Sequence, residues 1–335
     1  KPSPKPNADI MSKPQTGTPK PPTSEADSNR RRAAWFYYTH GLTQREVAER
    51  LGISRSTVIR MLEDARARGE VQITVPHMPQ DCAGLETELE MEFGLKRALV
   101  VPESPNATPQ DIANGVGTAL GRYLSDRITD DMVIGIGWGR TLRAATENLP
   151  PAQHSNVTVL SLLGGPTSSR DFNASDVSWQ MAQRIGADCL MMPAPLLVNS
   201  PETKRTLIED CGLKHLFDMA RSMDLAVISC GETIAAGTSL TEGFIPAADY
   251  QSALEQGAVA DVMCHFLDPD GNTVTTPVSE RVMSIAPDDI AQAAEVVLAC
   301  GGENRATAIR ASLRRFKCQV LVTDAPAARA LLDLG

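Results

Sequence analysis

The spacing of apolar and polar positions divides the chain into two unlike parts. Over Thr43–Gly69, TQREVAERLGISRSTVIRMLEDARARG, apolar residues recur at helical spacing in two short runs. Val47, Ala48 and Leu51 form the apolar face of the first run, and Val58, Met61 and Leu62 that of the second. Thr43 stands at the N-cap of the first helix, with Glu46 three residues on to close a capping box. Gly52 breaks that helix, Ile53 plugs the corner, Ser54 caps the second helix, and Gly69 takes its C′ position. Two short helices joined by a Gly-containing turn predict a helix-turn-helix. Upstream, NRRRAAWFYYTH (29–40) predicts a further helix packed on the pair through Ala34, Trp35 and Tyr38. Downstream, VQITV alternates and predicts a short strand placed as a wing.

From about residue 85 the pattern changes. Leu85, Leu89 and Phe93 mark one face of a short helix, and then apolar strands alternate with helices. The strands are ALVV (98–101), MVIGIG (132–137), VTVLSLL (157–163), CLMM (189–192), DLAVISC (224–230), VADVMCHFLD (259–268), EVVLACGG (295–302) and CQVLVTD (318–324). Helices are predicted from Thr108-Pro109, with Asp111 at N3, near 140–148, over Asn173–Ile185 and in stretches up to Arg221; DPDG (268–271) is a turn. Continuous apolar strands followed by helices predict an α/β fold, with a parallel, doubly wound, Rossmann-like sheet covered on both faces.

The domain plan follows. Residues 1–28, rich in Pro, Lys, Ser and Thr, are expected to be a disordered tail. Residues 29–76 form the winged helix-turn-helix, ending at Pro76, 77–84 a linker that contains Pro79, and 85–335 the larger, ligand-binding α/β domain. Charge sharpens the division. Against a total of −9, residues 1–29 carry +1 and residues 30–70 carry +4, which leaves −14 on residues 71–335. A small basic module on an acidic body fits one local contact with double-stranded DNA and excludes a protein that coats nucleic acid. The seven cysteines are dispersed without CxxC spacing, pointing to reduced thiols in a cytoplasmic protein. No apolar run reaches the length of a membrane span.

At the start of the second helix, Arg55, Ser56 and Thr57, with Arg60 one turn on, are the candidates for reading bases. Thr43, Gln44 and Arg45 open the first helix, whose free N–H groups suit a phosphate. Arg30, Arg31 and Arg32 are further phosphate candidates. The competing reading is a helical hairpin with a solvated basic face. In the larger part, glycines cluster at four strand ends: GIGWGRTL (135–142), LLGGPTSSR (162–170), SCGETIAAGTSL (229–240) and ACGGENRATAIR (299–310). Ligands sit outside the carboxyl ends of strands in such sheets, and glycine with a helix N-terminus suits an anion. Arg140, Thr141 and Arg305 add donors there. GIGWGR lacks the third glycine of a dinucleotide fingerprint, and there is no P-loop, GxSxG or metal-ligand spacing among the histidines. No cofactor, metal or catalytic residue is assigned. His265 reads as a core residue. Asp249 is either a hydroxyl ligand or a helix N-terminal carboxylate. Asp261, inside an apolar strand, needs partners if it is buried.

Five segments in order, LTQREVAERLGISRSTVIRML, IGIGWGRTL, LLGG, GAVADV with FLDPDGN, and ACGGENRATAIRASL, resemble the SorC/DeoR-type sugar-sensing transcriptional regulators of bacteria. The resemblance covers about residues 30–335. It implies a DNA-binding head, an effector domain akin to the sugar-phosphate isomerase and deaminase fold, dimers or tetramers, and a sugar, polyol or sugar-phosphate effector. Carried onto this chain, it implies that Gly137, Trp138, Gly139, Arg140 and Thr141 hold the effector's phosphate or terminal hydroxyls. Gly164, Gly165, Asn173 and Asp176 would line the same pocket, Asp261 would accept from hydroxyls, and Gly301, Gly302 and Arg305 would complete it. Arg305 replaces a lysine common in members that bind phosphosugars; it suits a phosphate but not Schiff-base chemistry. The alternatives are a sugar-phosphate enzyme with an appended DNA-binding head, and a head that binds a protein instead of DNA.

Overall fold

The computed structural model describes residues 25–71, 80–104, 106–166, 174–233, 238–241 and 243–335. The chain forms two compact units that divide between Thr74 and Val75. The predicted wing falls on residues 71–75, of which only Val71 is described, and most of the predicted tail and residues 77–79 of the linker lie outside the described residues.

The first unit is helical. Helix α1 (Glu25–Ala34) runs into a π-helical turn (Trp35–Thr39), followed by α2 (Gln44–Leu51) and α3 (Arg55–Ala67). Thr43 and Glu46 make the expected capping box, and Ser54 caps α3 by accepting from the Thr57 N–H. Gly52 ends α2 in the left-handed region at φ 67°, where a side chain would be strained. Ala33, Ala34, Val47, Ala48, Val58, Leu62 and Ala65 form the core, with Ile53 and Met61 packed against it. Two expectations need correction. The first helix starts at Glu25, inside the predicted tail, and Trp35 lies on the surface, 57% exposed. The wider π turn re-aims the helix face from Trp35 on, so Phe36, Tyr37 and Tyr38, and not Trp35, pack against the core beside buried Ala33 and Ala34.

The second unit opens with α4 (Gln80–Phe93), which takes up part of the predicted linker and all of the predicted short helix. A seven-stranded parallel sheet follows, alternating with helices: β1 (Arg97–Val101), α5 (Pro109–Arg127), β2 (Val133–Ile136), α6 (Arg140–Asn148), β3 (Thr158–Ser161), α7 (Ala174–Ile185) and β4 (Asp188–Leu190). The chain continues through α8 (Pro201–Glu209) and α9 (Lys214–Ala220) to β5 (Leu225–Ile228). A four-stranded antiparallel sheet is built from β6 (Gly231–Glu232), β7 (Ala260–Val262), β8 (His265–Leu267) and β9 (Thr273–Val274), with α10 (Thr238–Thr241) and α11 (Ala247–Glu255) inserted. Then α12 (Pro287–Ile290) leads to β10 (Glu295–Ala299), α13 (Ala306–Phe316), β11 (Val320–Asp324) and α14 (Ala325–Leu332).

The large sheet has the order β1-β11-β10-β5-β2-β3-β4. Alternate residues of each strand face two separate apolar clusters. Ile134, Ile136, Val159, Val227, Val297 and Val322 face α5, α6 and α7. Leu160, Ala226, Ile228, Leu298 and Leu321 face the layer made by α4, α13, α14 and the small sheet. The chain moves one way from β2 through β3 to β4, and the other way from β5 through β10 to β11. The direction therefore reverses between β2 and β5, which places a crevice at their carboxyl ends. The doubly wound sheet expected from the apolar pattern is borne out.

VADVMCHFLD is not one strand of the large sheet. It is the β7–β8 hairpin of the small one, with Met263 and Cys264 at its tip at φ 53° and 65°. His265 is buried as expected and its Nε2 donates to the Ile285 carbonyl, 3.2 Å away. Asp249 is the acidic residue in the first turn of α11 and pairs with Arg281 at 2.8 Å. The DPDG segment folds as a turn in which the Asp268 carboxylate accepts from the Asp270 and Asn272 N–H groups.

Candidate functional site

The candidate nucleic-acid interface lies on the first unit. Arg55, Ser56 and Arg60 are exposed on α3, and Arg45 on α2 is 80% exposed in its side chain. Arg55 donates through Nε and Nη2 to Gln44 Oε1, each at 3.2 Å, tying the start of the second helix to that of the first. Tyr37, Thr43, Gln44, Arg45 and Arg55 line one open depression. The Glu46 carboxylate holds the Thr43 N–H at 2.7 Å and the Thr43 hydroxyl at 2.8 Å, which drives it below its ordinary pKa and occupies the N-cap end of α2. The Thr43 N–H is thereby already engaged, which leaves the amides of Gln44 and Arg45 as the candidates for a phosphate at this end.

Arg30 departs from its expected role. It forms a two-pronged pair with Glu70, at 2.8 and 2.6 Å, bonds Asp27 at 2.6 Å, and is buried. The pair holds Glu70 below its ordinary pKa. Arg31 also reaches Glu70, at 3.3 Å, while Arg32 stays exposed. Arg30 thus fixes α1 to the end of α3 instead of facing a phosphate.

The second unit carries a pocket at the β2–β5 reversal. Trp138, Gly139, Arg140 and Thr141 come from the loop after β2 and the first turn of α6. Ser229, Cys230 and Gly231 follow β5, Ser239 and Phe244 come from the region of α10, Asp261 and Met263 from the β7–β8 hairpin, Arg305 from the turn before α13, and Ala113 from α5. Gly139 has φ 120° and, as the N-cap residue, offers no side-chain cap to the helix it opens, so the first turn of α6 faces this end without one. The rings of Trp138 and Phe244 lie 4.7 Å apart and narrow the pocket to about 90 Å³. Pockets that hold small molecules are larger, about 300–1,000 Å³.

Asp261 has the partners its burial demands. Its carboxylate accepts from the Ser239 hydroxyl and, at 2.8 Å, from the Cys264 N–H presented by the hairpin tip. Burial outweighs these bonds and raises its pKa. Arg305 donates to the Gly301 carbonyl at 3.1 Å and lies 3.8 Å from Glu232. Its buried Nε has no hydrogen-bond partner. The pocket therefore joins a carboxylate acceptor, a cation with an unused donor, and a helix N-terminus without a side-chain cap.

Other expected residues serve the pocket's frame. Gly137 extends β2 through its N–H to Val227, and a side chain there would press on Met263. Gly301 packs against Ile112 and Val116, and the Gly302 N–H donates to Asp324 at 2.9 Å. Gly164 and Gly165 lie away from the pocket lining. Gly164 abuts the Ala194 carbonyl and Gly165 bridges to Pro195, so this glycine pair serves a close backbone approach. Asp176 is exposed in the first turn of α7, away from the pocket lining, and Asn173 lies outside the described residues. Cys230, Ser239, Phe244 and Met263 were not singled out from sequence. SCGE at a strand end was a usable signal for Cys230; Phe244 carries none.

Comparison with known proteins agrees with this division. A family profile of a sugar-binding domain matches residues 77–333, and one of a homeodomain-like domain matches residues 25–73. The erythritol catabolism regulatory protein EryD of Brucella abortus is 30% identical over 308 residues, covering 91% of this chain and 96% of its own. The transcriptional regulator LsrR of Enterobacter sp. is 30% identical over 307 residues, covering 91% and 92%. The crystal structure of the full-length sorbitol operon regulator SorC from Klebsiella pneumoniae superposes with a TM-score of 0.69 at 25% identity, covering 90% of this chain and 98% of that one. Among the described residues, no helix is long and apolar enough to cross a membrane.

Proposed function

The chain belongs to the family of SorC-type regulators, which join a helix-turn-helix to a sugar-binding domain, and on that premise we propose that it is a DNA-binding transcriptional regulator of a carbohydrate or polyol catabolic operon. A sugar, polyol or sugar phosphate held at the β2–β5 reversal controls it. One observation carries this reading: Asp261, Arg305, Trp138 and the uncapped start of α6 converge on one pocket in the second unit. A carboxylate that accepts from hydroxyls, an aromatic wall for the sugar's C–H face, and a cation beside a helix N-terminus for an anionic end together suit that ligand class. Arg55, Ser56, Thr57 and Arg60 read the operator, and Gln44 and Arg45 meet its backbone. The protein works in the cytoplasm as a dimer or tetramer. The effector favours one arrangement of protomers and so the spacing of their reading heads, which requires different affinity for the two arrangements.

The test is fluorescence anisotropy on the DNA upstream of the protein's own operon, with a panel of sugars, polyols and their phosphates. Specific binding that one panel member changes supports the proposal; no specific binding at low and moderate salt refutes it. A thermal-shift screen identifies the ligand, since about 100 times its Kd adds roughly 2.7 kcal/mol of stability. Asp261→Asn keeps DNA affinity and loses the ligand response at least tenfold, since a hydrogen bond to a charged group contributes about 1.5–3 kcal/mol. Turnover of an aldose or amino-sugar phosphate, lost in Asp261→Ala, would favour an enzymatic role instead.

A further inference from the structure

We propose that Cys230 and Cys300 form a peroxide-oxidisable dithiol in the wall of the effector pocket; its reference to an effector rests on the functional reading above, but its chemistry does not. The two cysteines follow neighbouring parallel strands. Ile228 pairs with Leu298, so Cys230 and Cys300, two residues beyond, stand opposite one another on the same face. Strands at about 4.8 Å spacing bring paired Cα atoms within the roughly 4.4–6.8 Å that a disulfide spans. Protonated, the Cys300 thiol donates to the Cys230 carbonyl, 3.3 Å away. Cys230 lines the pocket, whereas Cys300 lies behind it with no exposure. A pocket of about 90 Å³ admits a molecule the size of hydrogen peroxide.

The surroundings activate this pair and no other described cysteine in the same way. The Cys230 thiol and the Arg305 guanidinium both donate to an ionised Cys300, holding its pKa down to about 7, while Cys230 is correspondingly raised. Burial pushes Cys82, Cys189, Cys264 and Cys318 upward. A depressed thiol beside a cation is the setting in which a thiolate reacts with peroxide. The charge rests mostly on Cys300; in the less populated form the proton lies on Cys300 and the charge on Cys230, the thiol that lines the pocket. The Cys230 sulfur then attacks the peroxide, forming an S–O bond and breaking the O–O bond, and the departing oxygen takes a proton. Cys300 attacks the sulfenic sulfur; the S–S bond forms, the S–O bond breaks and water leaves. In balance, the two thiols surrender two hydrogens and two electrons, and a hydroperoxide becomes an alcohol, or water, plus water. The bridge removes the negative sulfur from beside Arg305, whose unused Nε already faces Glu232 across 3.8 Å.

The test treats the full-length reduced protein with one equivalent of hydrogen peroxide near pH 7, traps remaining thiols, and maps peptides without reduction. The expected result is a Cys230–Cys300 linked peptide, an intact mass lower by two hydrogens, and a bridging rate at least tenfold faster than in urea-unfolded protein. Arg305→Gln slows bridging at least tenfold at pH 7, and raising the pH recovers part of the lost rate. Cys300→Ser diverts Cys230 to a trapped sulfenic acid. The proposal is overturned if peroxide consumes exposed Cys211 while Cys230 and Cys300 remain free thiols, or if the bridge forms no faster in the folded than in the unfolded protein. Both outcomes are read on wild-type protein without added sugar, so they stand apart from the fate of the effector reading.

Discussion

Two glycines in α5, two residues apart, should respond to alanine with opposite signs. An added Cβ at Gly117 would meet Ala144 Cβ and the Thr141 carbonyl oxygen at 2.6 Å and the Ala145 nitrogen at 2.9 Å. Two of those atoms are backbone in α6, so no side-chain rotation relieves the clash and α6 must move as a body. Overpacking costs about 1–3 kcal/mol, and a rigid opposing helix places this site at the upper end. The gain in helix propensity from Gly to Ala returns about 1 kcal/mol, leaving a net loss of about 2 kcal/mol. At Gly115 the only contact among the described residues is Val101 Cγ2 at 3.9 Å. There the propensity gain stands alone, and Gly115→Ala should stabilise by up to about 1 kcal/mol. Because α6 opens with Arg140 and Thr141 of the pocket, Gly117→Ala should also weaken ligand binding, whereas Gly115→Ala should not. Urea unfolding followed by tryptophan fluorescence reads the second unit through Trp138 and Trp179, and a thermal-shift titration reads the pocket. Stabilisation by both substitutions, or an unchanged ligand response in Gly117→Ala, would show that the α5–α6 contact does not position the pocket.

Further outcomes follow from other residues. Burial lowers the pKa of His265 to about 4, against an ordinary 6.5. Above pH 6.5 it is neutral folded and unfolded; as pH falls below that only the unfolded chain gains the proton. Stability of the second unit should therefore fall by about 3 kcal/mol between pH 6.5 and 4 and then level off with respect to this group. Urea midpoints across that range check it, and His265→Gln should flatten the slope. Arg60→Ala should weaken operator binding by about 1–3 kcal/mol, roughly 5- to 150-fold, and relax the preference at one base position, as measured by anisotropy on operator variants. Glu70→Gln removes the charge that Arg30 and Arg31 share, so it should lower the melting temperature of the helical unit, read at Trp35 or by circular dichroism, and the difference from wild type should shrink as acid titrates Glu70 through its lowered pKa.

What could be read in the sequence depended on how local its cause is. The capping box of Thr43 and Glu46, the Ser54 cap and the Gly52 break each involve residues within one turn, and all three stand as expected. The parallel strands were legible because a strand buried on both faces leaves a continuous apolar run. The β7–β8 hairpin was hidden for the same reason. Its tip is Met263-Cys264, two apolar residues in the left-handed region, with no glycine or asparagine to signal a turn. Arg30 read as a phosphate ligand because its partner, Glu70, lies 40 residues away. The LLGG pair read as a ligand loop because a glycine needed for close packing looks the same in sequence as one needed for a ligand.

The pocket itself shows why strand order matters more than motif strength. GIGWGR, SCGE and ACGGENR each end a strand, and so does LLGG, yet only the first three reach the pocket. β2, β5 and β10 are consecutive neighbours in the sheet, whereas LLGG follows β3, on the far side of β2 from β5. Pairing of β5 with β10 brings Cys230 opposite Cys300, with Arg305 beside them, and reversal between β5 and β2 sets the start of α6 across from all three. Neither neighbour relation is visible in chain order, where 69 residues lie between Cys230 and Cys300. The same adjacency thus brings together the cation proposed for the ligand, Arg305, and the two cysteines proposed to bridge, and the charge of Cys300 and that of Arg305 each shift the other.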